Sequence, residues 1–232
     1  MPHKGKKYRE AASGVERRPY DVEEAIAKVR DGAYASFDET VEIAMRLGVN
    51  PKHADQMVRG TVVLPHGTGK TKVVLAVCEG ATQKEAEEAG ADVVLSADEA
   101  AEKIQGGWMG FDAVVATPNM MRGLSKVARI LGPRGLMPNP KSGTVTPEIS
   151  SAVNEIKAGR VEFRVDKTAI IHAPVGKVSF SLDNLVENTR SLVDAIQKAK
   201  PATAKGRYVE SVFLSSTMGP GVQVDLTSLD VK

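Results

Sequence analysis

The chain holds one cysteine, Cys78, among 232 residues, so it has no partner for an intramolecular disulfide and is not a disulfide-framed scaffold. Aromatic residues are scarce, at 4%. No stretch approaches the ~18 consecutive apolar residues that a membrane-spanning helix needs. The N-terminus, Met1 to Arg9, is basic but is followed by no apolar run, which excludes a secretory leader and predicts a cytoplasmic protein. Bulk charge is nearly absent too: 31 basic against 29 acidic residues leave +2. What is present is enough for folding. Hydrophobic residues make up 42% of the chain, which excludes wholesale disorder, and the length predicts one or two compact domains.

The charge is uneven along the chain. Residues 1–18 carry six cations and two anions, 19–69 five and eight, 70–111 four and eight, 112–160 seven and three, and 161–232 nine and eight. No acid lies between Asp112 and Glu148, whereas Arg122, Lys126, Arg129, Arg134 and Lys141 do. An acid-free basic stretch suits a polyanionic partner, and a solvated face explains it equally well.

The middle of the chain alternates in character. Lys72–Val77, Asp92–Leu95 and Asp112–Ala116 are short β-branched apolar runs, the pattern of strands covered on both faces. Helical segments are predicted over 82–89, 97–105, 117–130 and 147–157, the third opening with Thr117 as N-cap and Pro118 at the first helical position. This βαβαβα order makes a small parallel sheet with flanking helices. The flanks differ. Helices are predicted over 21–31 and 38–47, the second started by a Ser36/Glu39 capping box. Strands are expected over 58–64, 161–165, 169–173 and 209–214, with a helix over 182–199. Neither flank has strands enough for a core of its own. The predicted architecture is therefore a split α+β domain, residues 1–65 and 160–232, with an α/β domain (Rossmann-like, parallel sheet) inserted at 66–159. Gly67, Gly69 and Gly159 sit at the two crossings, where a hinge is expected.

Candidate chemistry is sparse. His66-Gly67-Thr68-Gly69-Lys70-Thr71 resembles the end of a phosphate-binding loop, but Leu64 stands where the first glycine belongs. A strand, not a helix N-terminus, is predicted to follow. A nucleotide-binding α/β enzyme is thus the competing class. His3, His53, His66 and His172 are dispersed without a metal-ligand spacing, and no nucleophile–base set stands out, so neither metal nor cofactor is expected. Gly132–Gly143 packs three prolines and three glycines with two cations and is predicted to be a stiff, irregular loop. Ser215–Gly221 joins two strand-like runs, and Pro220-Gly221 suits the centre of a type II turn. Its small donors suit close approach to a sugar-phosphate backbone.

Several irregular stretches together resemble one family. They are Phe37–Glu42 (FDETVE), Val58-Arg59-Gly60, Leu64–Gly69 (LPHGTG), Leu131–Pro140 (LGPRGLMPNP), Gly143–Pro147 (GTVTP), His172–Lys177 (HAPVGK) and Thr217-Met218-Gly219. The chain is similar over nearly its whole length to the bacterial family of large-subunit ribosomal protein one, of the mobile side stalk. The resemblance implies the split two-domain fold, no enzymatic activity, and three RNA partners. These are a folded region of large-subunit ribosomal RNA, the transfer RNA leaving the exit site, and a similar structure on the protein's own operon messenger. Carried over by position, the RNA surface comprises Phe37, Thr40, Arg164, Asp166, Lys167, Thr168, His172, Ser211, Thr217, Met218 and Gly219. The basic residues Arg122, Lys126, Arg129, Arg134 and Lys141 become an accessory face for ribosomal or transfer RNA. The sequence departs from the family pattern at Ser36 (often lysine), Met57 and Val165 (asparagine expected) and Ala169 (usually glycine). Few cations in the surface imply recognition by shape, with bulk attraction secondary.

Overall fold

A computed structural model describes residues 5–229; His3 and Lys4 of the basic N-terminus lie outside them. The chain divides into two compact units. One is built from the chain up to Gly69 and from Val161 onward, the other from Lys70–Arg160.

The first unit contains helices α1 (Lys6–Ser13), α2 (Val22–Asp31) and α8 (Leu182–Lys198). Its strands are β1 (Thr40–Leu47), β2 (Arg59–Val63), β6 (Arg160–Arg164), β7 (Ile170–Lys177), β8 (Val209–Ser216) and β9 (Val222–Val224). Strand β6 begins one residue before the division, at Arg160. Four strands form an antiparallel sheet in the order β7-β1-β8-β9, while β2 and β6 pair separately.

Strand β1 corrects the helix expected over 38–47. Val41, Ala44 and Met45 fit a helical stripe, but Val41, Ile43, Met45 and Leu47 fit a period of two. All four of these are buried while Glu42 and Arg46 are exposed. The small Ala44 satisfies either period, and cross-strand pairing on both sides decides for the strand. The expected Ser36/Glu39 capping box is consequently absent, because no helix follows it. Helix α1 was not foreseen either; it buries none of its residues, so it leaves no apolar stripe to read.

Helix α2 buries Val22, Ala25, Ile26 and Val29 against β8 and β9. Helix α8 starts at a Ser181 cap, whose hydroxyl accepts from the Asn184 N–H, and packs on β7 and β2. Both helices cover the sheet side that carries Val41, Ile43, Met45, Val212 and Leu214. The opposite side is left open.

The second unit is a three-stranded parallel sheet in the order β4-β3-β5, with β3 (Val74–Val77), β4 (Val93–Leu95) and β5 (Ala113–Ala116). Leu75 and Val77 face one apolar cluster with α4 (Ala97–Gln105). Val74, Ala76 and Cys78 face another with α3 (Ala81–Glu88) and α7 (Ile149–Lys157). Coverage on both faces explains why these strands read as continuous apolar runs. The helix expected over 117–130 is broken into a 3-10 turn at Pro118–Met120, α5 (Met121–Leu124), a second 3-10 turn and α6 (Ala128–Leu131). The Thr117 side chain does not cap it. Gly123 lies where a Cβ would come within 2.6 Å of the Ala97 Cβ, so close approach to α4 requires glycine at this weak point.

The glycine connection at 64–69 is hydrogen-bonded within itself and to α8. The Gly67 N–H donates to the Leu64 carbonyl at 3.0 Å. Asn188, fully buried on α8, accepts from the His66 N–H at 3.1 Å and donates to the carbonyls of Gly67 and Val175 at 3.0 and 2.8 Å. Gly67, Gly69 and Gly159 all take positive φ, at 65°, 70° and 99°. His66–Thr71 leads into strand β3, so no helix N-terminus is available to cradle a phosphate.

Candidate nucleic-acid interface

The register of the four-stranded sheet assembles its open face. Ala44 at the centre pairs with His172 of β7 and Phe213 of β8; Arg46 pairs with Ile170 and Ser211; Glu42 pairs with Pro174 and Ser215. His172 and Phe213 are exposed, and Ser211 is half-buried. Arg46 is ion-paired to Glu210 at 2.8 Å. The face is therefore small, hydroxyl-bearing and nearly neutral, with little free charge.

Two turns rim this face. At the β1 N-terminal end lie Phe37, Thr40 and the β8–β9 turn; at the other end lies the β6–β7 turn of Asp166, Lys167 and Thr168. Six residues of β1 separate the ends, roughly 20 Å at the rise of an antiparallel strand.

Glu39 organises the first rim, although sequence reading gave it only a capping role. It is 1% exposed. One carboxylate oxygen accepts from the N–H groups of Tyr34 and Ala35 at 3.0 and 2.8 Å, the other from the Met218 N–H at 2.9 Å. The Tyr34 hydroxyl donates to the Met218 carbonyl at 2.9 Å. Burial opposes the charge on Glu39, but hydrogen bonds from Met218, Ala35, Ser216 and Tyr34 outweigh it and hold the carboxyl below its ordinary range. Two segments 179 residues apart are thus held by one side chain. No local signal marks this role, since Glu39 stands between the polar residues Asp38 and Thr40.

The Thr217-Met218-Gly219 turn differs from expectation in two respects. The turn bond runs from the Gly219 N–H to the Ser216 carbonyl at 3.2 Å, and Gly221 has no positive φ, so Pro220-Gly221 is not the centre of a type II turn. Its donors are also spent internally. Met218 donates to Glu39, Gly219 also to the Ser216 hydroxyl at 3.2 Å, and the Thr217 hydroxyl accepts from the Thr40 N–H at 3.0 Å. A Cβ on Gly219 would fall 2.5 Å from that Ser216 oxygen. What the turn presents is apolar: Met218 is 48% exposed and Phe37 55%.

At the second rim, Asp166 ties its own turn. It accepts from the Thr168 N–H and hydroxyl at 2.7 Å and from the Ile170 N–H at 2.8 Å. The Ile170 and Thr168 bonds hold its carboxyl below the usual range. Ala169 follows with φ of 64°, a conformation that costs an alanine about 1–2 kcal/mol. Arg164 and Lys167 are exposed beside it.

In the other unit, Arg122, Lys126, Arg129, Arg134 and Lys141 are all exposed, with Lys126 paired to Asp98 at 2.9 Å. The proline loop ends in a tight network. The Asn139 side chain accepts from the Lys141 N–H, the Asn139 N–H donates to the Thr144 hydroxyl, and the Arg160 guanidinium donates to the Ser142 carbonyl. Among the described residues, no three His, Cys, Asp or Glu side chains gather as metal ligands, and no helix is long and apolar enough to cross a membrane.

A two-unit α/β protein with one open, weakly charged sheet face, rimmed by rigid turns, is in class a macromolecule-binding protein. The chain belongs to the Ribosomal protein L1p/L10e family, whose model matches residues 29–220. It is 59% identical to the large ribosomal subunit protein uL1 of Solibacter usitatus, over 98% of this chain and 96% of that protein. It is 57% identical to the protein of the same name from Chlorobium luteolum, over 95% of this chain and 96% of that one. Family membership makes it a structural, non-enzymatic ribosomal protein of translation.

Proposed function

We propose that this large-subunit ribosomal protein binds ribosomal RNA through the open face of its four-stranded sheet, working in the cytoplasm as part of the ribosome. The observation that carries the reading is the Glu39-anchored rim. A buried carboxylate spends three hydrogen bonds to hold an exposed Met218 and the segment bearing Phe37 in fixed positions, an arrangement that a merely solvated loop does not need. A nearly neutral surface, with the Ser211 hydroxyl on its face and the apolar Phe37 and Met218 beside Thr40 and Thr217 at its rim, matches how folded RNA is read, largely by shape. Arg164, Lys167 and His172 supply a few phosphate contacts, and Asp166 and Gly219 shape the turns that carry them. The split unit is the RNA-binding domain in this reading.

The exposed cations Arg122, Lys126, Arg129, Arg134 and Lys141 form an accessory face for the outgoing transfer RNA or a further ribosomal RNA segment. Binding a messenger segment of similar shape would let the same sheet face repress translation of the protein's own operon. Gly67, Gly69 and Gly159 belong to the two crossings between units and serve as hinge borders.

The test is chemical footprinting of isolated large-subunit RNA with the purified protein. A discrete protected region that survives moderate salt supports the reading. Protection that is absent, or uniform along the RNA, overturns it.

A further inference from the structure

Beside the second rim lies an open groove of about 650 Å³, within the ~300–1,000 Å³ range of small-ligand sites. Its floor is apolar: Pro51 and Met57 are half-buried, and Val165 is 4% exposed. Its edge is cationic, with Lys52, Arg164 and Lys167 all exposed. The one acid lining it, Asp166, is engaged by its own turn through Thr168 and Ile170. The Arg164 guanidinium lies over the floor, its Nη2 3.8 Å from the Met57 sulfur.

From this juxtaposition we infer that the groove takes a single unstacked nucleobase with its flanking phosphates, as a base-binding pocket at the edge of the RNA surface. The inference rests on the proposed RNA-binding face and adds a specific ligand chemistry to one end of it. An apolar floor alone would fit many occupants. Three cations around it, with the nearby carboxylate already spent, call for one that combines an apolar flat face with anionic flanks. A nucleotide extruded from a loop or bulge has that combination: the ring stacks on the outer face of the Arg164 guanidinium, which itself rests on Met57, with its edge toward Val165, and the phosphates reach Lys52 and Lys167. Stacking on an arginine guanidinium plane is one of the ways splayed RNA bases are held. Asp166 and Lys167, which line the pocket, belong to the turn that leads directly into β7 of the sheet.

The full chain, labelled with ¹³C at its methionine methyl groups, tests this by NMR titration with hexaadenylate RNA and, in parallel, with hexaglutamate, which offers charge without bases. The Met57 methyl should move upfield with the RNA and stay in place with the peptide. Equal response to both, or no response to the RNA, overturns the pocket. Met57→Ala should then weaken binding of the footprinted large-subunit RNA by about five- to tenfold, with the footprint lost only at its edge. Unchanged affinity for that variant would also overturn it. The two readings fail separately. If the wild-type footprint forms but Met57 is silent, the pocket is wrong and the sheet face stands; if no footprint forms, the sheet face itself is wrong.

Discussion

Replacing Glu39 by glutamine removes one charge and one acceptor at the point where two distant segments meet. The amide oxygen can still accept from Tyr34 and Ala35, which share one carboxylate oxygen in the wild type. The amide nitrogen then faces the Met218 N–H across 2.9 Å, donor against donor. Losing a charge-assisted bond in a buried site and stranding a donor there should cost roughly 2–4 kcal/mol. Urea unfolding at pH 7 reads that cost. RNA affinity should fall at least about tenfold, since a factor of ten is only ~1.4 kcal/mol and the Met218 turn loses its anchor. The pH dependence gives an independent check. The folded-state pKa of Glu39 is depressed below its ordinary value of 4.5, so the carboxylate stabilises the fold fully above the unfolded-state value. That stabilisation is lost as pH falls through the lowered folded value. Glutamine does not titrate, so the stability gap between wild type and variant should narrow in acid. A gap below ~0.5 kcal/mol at pH 7, the size of an ordinary surface substitution, would refute the anchoring role. So would a gap that does not change down to acid pH.

Met218→Asp should abolish the RNA footprint while leaving the urea midpoint nearly unchanged, because the side chain is exposed and only its backbone is bonded; a wild-type footprint would remove Met218 from the interface. Asn188→Ala should cost about 3 kcal/mol by stranding the His66 N–H and two carbonyls, read by urea unfolding, with faster hydrogen exchange at His66 and Gly67. Ala169→Gly should raise stability by ~0.5–1 kcal/mol, since relief of the left-handed strain exceeds the chain entropy glycine adds; thermal unfolding measures it.

The inserted parallel sheet was legible because each strand is apolar throughout, and only coverage on both faces allows that. Helix α2 was legible from its stripe of Val22, Ala25, Ile26 and Val29, and α8 matches the helix expected over 182–199. Strand β1 was not, because Ala44 satisfied both periods and only pairing with β7 and β8 separates them. Much of the candidate surface was legible as irregular stretches that resemble a family, including Phe37 and Thr217-Met218-Gly219. The internal use of that turn's donors was hidden, since hydrogen-bond partners 179 residues apart leave no local pattern.

The sequence alone therefore determined the absences: no disulfide, no long apolar run and almost no net charge, each a property of composition that folding cannot alter. It also determined the alternation of the inserted unit, because burial on both faces is written in local hydrophobicity. Tertiary structure decided what faces outward. The sheet register put Ser211, His172 and Phe213 on one open face, buried Glu39 beneath the Met218 turn, and set Arg164 over Met57. Those placements depend on pairing between remote strands, a long-range geometry that no window of residues contains.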